Sequence, residues 1–288
     1  MLDCLSGEAL RRLFNRVCFC SYEETVSYQP EPYWSRVADE IQKRGPDNLI
    51  AGDDNPYFRY KRNKFLTRFL NSVDFRSKVV LEVGPGPGGN LLHAIRAGAK
   101  RVIGIDISQQ MLDLAAKTLV GHEEITELKK TDGQNLPLPD RSVDLAFTVT
   151  VLHHNTDPVM FQHLVASICR VSKDQVVFFE DTSQGSTKVG SDGSFVGRPV
   201  AVYEAECRKH GFELIERKYL GLRFSRTAHM LVRRLLVPAD HREGDPYGFL
   251  PVAVLNGLLF FTRPLDSAVP DNRELTKMVF ARRSLAAG

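Results

Sequence analysis

The stretch Val79-Val-Leu-Glu-Val-Gly-Pro-Gly-Pro-Gly-Gly-Asn90 runs a β-branched strand straight into a glycine turn that opens a helix. Gly84, Gly86 and Gly89 satisfy G-x-G-x-x-G, and Asp106 follows Gly89 by 17 residues at the end of the next apolar run. In a βαβ unit such a turn brings backbone close to a ligand, and an acid at the second strand's end suits ribose hydroxyls. Two details turn the reading away from a pyrophosphate. Pro85 and Pro87 remove backbone donors that phosphate recognition relies on. Glu82 would repel a phosphate and attract a cation. The turn therefore suits a positively charged nucleoside that carries no phosphate.

Working outward, β-branched runs alternate with helical segments from Lys78 on, the pattern of a mostly parallel sheet. Strands are expected at 79–83, 101–106, 125–131, 143–148 and 175–180. Helical spacing links them, with Met111, Leu112, Ala115 and Leu119 on one face and further apolar positions over 159–171. Right-handed crossovers place every strand C-terminus on one edge. Thr182–Gly197, rich in Gly and Ser and without periodicity, reads as a mobile loop over that edge and a candidate lid. A helix over 200–210 and strands over 212–220 and 277–283 complete the set. Residues 1–60 and 221–273 fall outside the repeat.

The segment Glu82-Val-Gly-Pro-Gly-Pro-Gly88 resembles the first motif of class I S-adenosylmethionine-dependent methyltransferases, and further motifs follow in order. Gly104-Ile-Asp-Ile-Ser108, Thr131-Asp-Gly-Gln134 with Leu136-Pro-Leu-Pro139, and Ser142-Val-Asp-Leu-Ala-Phe-Thr148 through Val151-Leu-His-His154 resemble the second-, third- and fourth-strand motifs of the broad small-molecule branch. The resemblance covers about residues 60–220. It implies a Rossmann-like α/β fold with a seven-stranded, mostly parallel sheet whose last strand is antiparallel, and helices on both faces. An N-terminal helical cap (1–60) would precede the domain (61–288), and 221–273 would be an insertion before the last strand.

The same resemblance implies S-adenosyl-L-methionine as cofactor, with S-adenosyl-L-homocysteine as product. Glu82 would order the glycine loop of Gly84, Gly86 and Gly88 and meet the ligand's amino group. Asp106 would take the ribose, beside Ile107 and Met111. Asp132 and Gly133 would meet the adenine, and Thr148 would complete the site. Each has a competing structural use: Asp106 as a helix cap, Asp132-Gly133 as an ordinary turn, Met111 as core.

Transfer from a sulfonium needs alignment first, and a base only when the acceptor carries a proton. His153 and His154 end the fourth strand and are candidate bases; Glu180, with Asp181, ends the fifth and is a candidate for orienting an acceptor. Tyr22, Tyr28, Tyr33, Trp34, Tyr57, Phe58 and Tyr60 are candidates for a cofactor-covering wall or for helix packing. Arg223, Arg226, Arg233 and Arg234 precede the apolar stretch 250–261, which suits an acceptor with an anionic and an apolar part, or a homodimer contact.

Composition bounds the alternatives. With 288 residues, 43% hydrophobic and 25% charged, the chain can bury a sizeable core. A net charge of +3 gives no strong case for nucleic acid, and no base-flipping motif is visible. The five cysteines lack framework spacing, and Cys18-x-Cys20 has no second pair to complete a metal site, so neither disulfides nor a metal is expected. Asp3, Glu8, Arg11 and Arg12 interrupt a secretory leader, and Pro251, Asn256 and Gly257 interrupt the longest apolar run, so no membrane span and a cytoplasmic location are expected. A non-catalytic S-adenosylmethionine-binding subunit and an NAD(P)-dependent oxidoreductase remain as alternatives.

Overall fold

A computed structural model describes residues 28–45, 53–190, 193–269 and 274–283. Cys4, Cys18, Cys20, Tyr22 and the charged N-terminal positions lie outside the described residues.

Five parallel strands form the first part of the sheet: β1 (Val79–Val83), β2 (Arg101–Asp106), β3 (Thr126–Lys130), β4 (Val143–Val149) and β5 (Ser172–Thr182). Helices α3 (Gly89–Arg96), α4 (Gln109–Thr118), α5 (Pro158–Val171) and α6 (Val200–Lys209) cross between or follow them. The short strands β6 (Lys188–Val189) and β7 (Val196–Gly197) form a separate hairpin. Strand β8 (Phe212–Tyr219) then pairs antiparallel with β9 (Glu274–Arg282), itself antiparallel to β5, giving the order β3-β2-β1-β4-β5-β9-β8. This is the Rossmann-like class I methyltransferase fold. The order reverses beside β1, between β1 and β4, where an open α/β sheet forms its ligand crevice.

Helices cover both faces of the sheet at its centre. Leu81, Ile103, Ala146 and Phe178 pack toward α5 and α6, while Val80, Val102, Phe147 and Phe179 pack toward α3 and the N-terminal helices. The central strands β1, β2, β4 and β5 are largely buried on both sides, which is why they read as apolar runs, whereas the edge strands β3 and β8 are only partly covered.

Helix α1 (Pro30–Lys43) lays Val37, Ala38 and Ile41 against Met111 of α4. Helix α2 (Pro56–Arg68) is capped by Asn55, whose side chain accepts from the amides of Tyr57 and Phe58. The segment before β9 is an antiparallel helical pair, α7 (Arg223–Leu236) and α8 (Phe249–Ala268), joined by Val232 packing on Leu255 and Leu259. The aromatic residues expected to act together divide: Tyr57 joins that contact, while Tyr28 and Trp34 face elsewhere.

The apolar run is not interrupted as expected. Pro251 sits in the first turn of α8, where its missing N–H has no helical partner to lose, and the helix continues through Pro264 for 20 residues. By length and composition it could cross a membrane, with only 22% of that window buried. Such a helix is by itself weak evidence of a span.

Candidate functional site

At the C-terminal ends of β1, β2 and β4 the fold opens a cleft of about 830 Å³, counting its open mouth. Gly84, Gly86, Asp106, Ile107, Met111 and Gly133 line it, opposite Tyr28, Pro30 and Trp34 from the start of α1. His154 lines it from the loop after β4.

The glycine turn has its shape for steric reasons. Gly84 adopts φ +70°, and a Cβ there would run into Val151 Cγ2. Its amide donates to the carbonyl of Ile105 at 2.8 Å, tying the turn to β2. Gly88, at φ +84°, starts α3; it lies against Ala115 and not on the cleft.

Glu82 lies fully buried behind the turn. Its Oε1 accepts from Asn90 Nδ2 at 2.6 Å, and Arg62 in turn donates to Asn90 Oδ1. The other oxygen, Oε2, is buried without a hydrogen-bond partner. Burial drives the carboxyl up to about 8, against the pull of Asn90 and Arg62. Asp106 is also buried, and its Oδ1 accepts from the amide of Ser108 at 2.9 Å. Burial raises it to about 6 despite amide hydrogen bonds. A buried carboxylate on the cleft lining, Asp106, and a second with an unpartnered oxygen behind the turn, Glu82, favour a ligand that brings positive charge and hydroxyl donors. An orphaned acidic oxygen beside the glycine turn fits the cationic cofactor that the motifs imply.

Asp132 is arranged differently from the expectation. It is exposed, off the cleft lining, and its carboxylate closes a local turn by accepting from the amides of Gln134 and Asn135 and from Asn135 Nδ2. Those bonds, Asn135's first, hold it down to about 2. Its neighbours Thr131 and Gly133 face the cleft instead.

The loop after β4 is built around Glu180, which is completely buried. Glu180 Oε1 accepts from Thr148 Oγ1 at 2.7 Å and the Val151 amide at 3.1 Å. Oε2 accepts from the His153 amide at 3.2 Å and meets His153 Nδ1 at 2.9 Å. Four donors thus converge on one carboxylate, which makes Glu180 a fastener for residues 148–153. Thr148 and His153 are buried with it, off the cleft lining. Thr150, at φ +56°, is held in a conformation that a β-branched residue rarely adopts.

His154 alone of the histidine pair reaches the cleft. Its Nδ1 lies 2.8 Å from the Ser194 carbonyl, which can only accept, so Nδ1 carries the proton and Nε2 is the basic nitrogen. Trp34 meets its ring edge-on at 4.9 Å. Arg198, stacked 4.1 Å over Phe161, donates to the carbonyls of Leu152 and Asn155. Of the stretch 182–197, expected as an aperiodic lid over the sheet edge, the described residues include the paired strands β6 and β7, and Ser194 and Val196 bond to His154 and His153 of the loop after β4.

Val151, Asn155, Met160 and Leu164 also line the cleft and were not singled out from sequence. Met160 and Leu164 stand four residues apart on α5, a spacing indistinguishable from core periodicity.

Residues 80–175 match the methyltransferase domain family. An uncharacterized 37.1 kDa protein of transposon TN4556 from Streptomyces fradiae is 39% identical over 93 residues, 31% of this chain and 26% of that protein. A tRNA U34 carboxymethyltransferase of Shewanella sp. (strain ANA-3) is 36% identical over 86 residues, 29% of this chain and 26% of the relative. The chain spans about a quarter of the length of these relatives. Among solved structures, the [4+2]-cyclase SpnF superposes with a TM-score of 0.57 at 19% identity, over 90% of this chain and 100% of that one. A Galdieria sulphuraria protein assigned as a sarcosine dimethylglycine methyltransferase superposes with a TM-score of 0.57 at 13% identity, over 86% and 97%. At these identities the likeness establishes the fold.

Proposed function

We propose that the chain, a class I S-adenosylmethionine-dependent methyltransferase by fold and by its domain over residues 80–175, transfers the methyl group to a small-molecule acceptor entering beside His154. The observation that carries this reading is the meeting of the glycine turn and the buried Asp106 on one cleft lining, with the orphaned Glu82 oxygen buried directly behind the turn. When bound, S-adenosylmethionine supplies an electrophilic methyl on a sulfonium. The chain's residues contribute position and charge. Gly84 and Gly86 would let backbone approach the ligand, Asp106 would accept from ribose hydroxyls, and Glu82, behind the turn, would balance an ammonium group.

Trp34, Tyr28 and Met111 shield the cleft from water. His154 Nε2 is the candidate base for an acceptor that must lose a proton, and Glu180 is a positioning residue that fixes the loop His154 stands on. Lys61 pairs with Asp181 at 3.3 Å at the end of β5. Burial pushes the Asp181 carboxyl up, but Lys61, His153 and Arg226 together outweigh it and leave it below its ordinary value. Lys61, although paired with Asp181 and off the cleft lining, is the cation at this end of β5 that we assign to an acceptor with an anionic group beside an apolar part.

Calorimetric titration of dialysed protein with S-adenosylhomocysteine tests the cofactor. Micromolar binding, absent for NADH and abolished in Asp106→Ala, is the expected result. Binding of NADH in place of S-adenosylhomocysteine would reverse the assignment. For the acceptor, turnover that is equal for neutral and anionic analogues and unchanged in Lys61→Ala would remove the anionic-group reading.

A further inference from the structure

Helices α7 and α8 carry a surface that the methyl-transfer reading leaves unused. Along α8 exposed apolar positions recur at 249–250, 253–254, 257, 260–261 and 264–265, with Asn256, Arg263 and Ser267 as the exposed polar residues among and beyond them. Phe249 is 88% exposed, Phe260 76% and Phe261 70%. On α7, Leu231 and Leu235 are exposed as well, at 52% and 67%. Soluble helices bury their apolar stripe and turn polar residues outward. Here α8 buries Leu255 and Leu259 and keeps a second apolar stripe outside.

The charges on the two helices have one sign. Arg223, Arg226, Arg233, Arg234 and Arg263 are all exposed. The single acid on either helix, Asp266, is buried, and its Oδ1 accepts from the amides of Phe224 and Ser225 at the start of α7. A second copy packed two-fold on this face would oppose arginine to arginine, with no exposed acid on the pair to offset them. An anionic lipid surface offers both required properties, a hydrocarbon boundary for the phenylalanines and negative headgroups for the arginines.

We propose that the α7–α8 pair is a peripheral membrane-docking surface that lies in the headgroup region of an anionic bilayer with the Phe249–Phe261 stripe inserted. Because Leu255 and Leu259 pack on Tyr57 and Val232, α8 remains part of the folded domain and lies along the bilayer rather than across it. The inference is independent of the methyl-transfer reading, since none of these residues lines the cleft.

The test is flotation of the full chain with vesicles of phosphatidylcholine alone and of phosphatidylcholine with phosphatidylglycerol. The protein should float with the anionic vesicles and not with the neutral ones, and added salt should release it. Phe260→Ser/Phe261→Ser and Arg223→Ala/Arg234→Ala should each reduce binding by roughly tenfold or more, with S-adenosylhomocysteine titration and melting curves unchanged from the parent. Absence of flotation with anionic vesicles overturns the proposal. So does a concentration-dependent dimer in sedimentation that the phenylalanine substitutions dissolve, which would make the stripe a self-association surface.

Discussion

The cleft edge of the sheet and the α7–α8 pair solve opposite problems. At the cleft, charged groups are taken out of water: Glu82, Asp106 and Glu180 are each no more than 7% exposed. On α7–α8, apolar groups are left in water, with Phe249 and Phe260 more than three-quarters exposed. Both arrangements cost free energy in the isolated chain. Their compensation differs. Glu180 is answered by four donors within the protein, Glu82 by only one side of its carboxylate, and the α8 stripe by nothing in the described residues. The degree of internal compensation separates a fastener, a half-answered carboxylate behind the ligand turn and a docking surface, and each distinction can be broken by substitution.

The largest effect is expected at Glu180. Glu180→Ala strands Thr148 Oγ1, the Val151 and His153 amides and His153 Nδ1 inside the fold, at a cost of about 3–5 kcal/mol. Chemical denaturation measures it. A stability loss under about 1 kcal/mol would mean that the carboxylate does not fasten the loop and would return it to the candidate acceptor-binding groups.

Gly84 comes next. Gly84→Ala places a Cβ in a left-handed backbone and against Val151, which together cost about 2–4 kcal/mol. The same substitution narrows the cleft at the glycine turn, so S-adenosylhomocysteine affinity should fall further than in a Gly121→Ala control, where φ is also positive but the space is open. Equal losses in the two variants would show that only backbone strain matters.

Much of this was legible in the sequence because local spacing and strand chemistry agree. Val79–Val83 and Arg101–Asp106 fall where the β-branched runs predict them, and the glycine turn marks its own crevice. Long-range partners were not legible. Nothing in the local sequence says that Glu180 turns inward onto a loop some thirty residues earlier, or that Ser194 will orient His154. Asp132 was misplaced by a neighbour: Asn135, three residues on, claims the carboxylate that the motif assigns to a ligand. Pro251 reads as a breaker in the sequence because a proline's effect depends on its helix position, which sequence alone leaves open by a turn.

Glu82 gives the comparison a pH signature. Its carboxyl sits at about 8 when folded against an ordinary value of 4.5, so the folded chain holds a proton that the unfolded chain releases. Stability is therefore greatest below the unfolded value and falls as pH rises through 8. Asp106, raised to about 6, contributes in the same direction but mostly below pH 6. Between pH 6 and 8 the loss should be about 2 kcal/mol, read as a falling melting temperature. Glu82→Gln should flatten that slope, and S-adenosylmethionine should reduce it if its ammonium compensates the carboxylate. A slope unchanged by both would place the titration elsewhere.

The smallest effect is expected on the other region, and its smallness is informative. Phe260 and Phe261 stand 76% and 70% exposed, so Phe260→Ser/Phe261→Ser removes little buried area and should shift stability by no more than about 0.5 kcal/mol. A helix stripe used only for internal packing would lose several times that on the same double substitution. Denaturation of the variant in the absence of lipid therefore separates the two uses of α8: near-parental stability leaves the stripe to an external partner, whereas a loss of about 3 kcal/mol or more would mean that these side chains pack against the protein in solution and that the contrast between the two regions has been drawn in the wrong place.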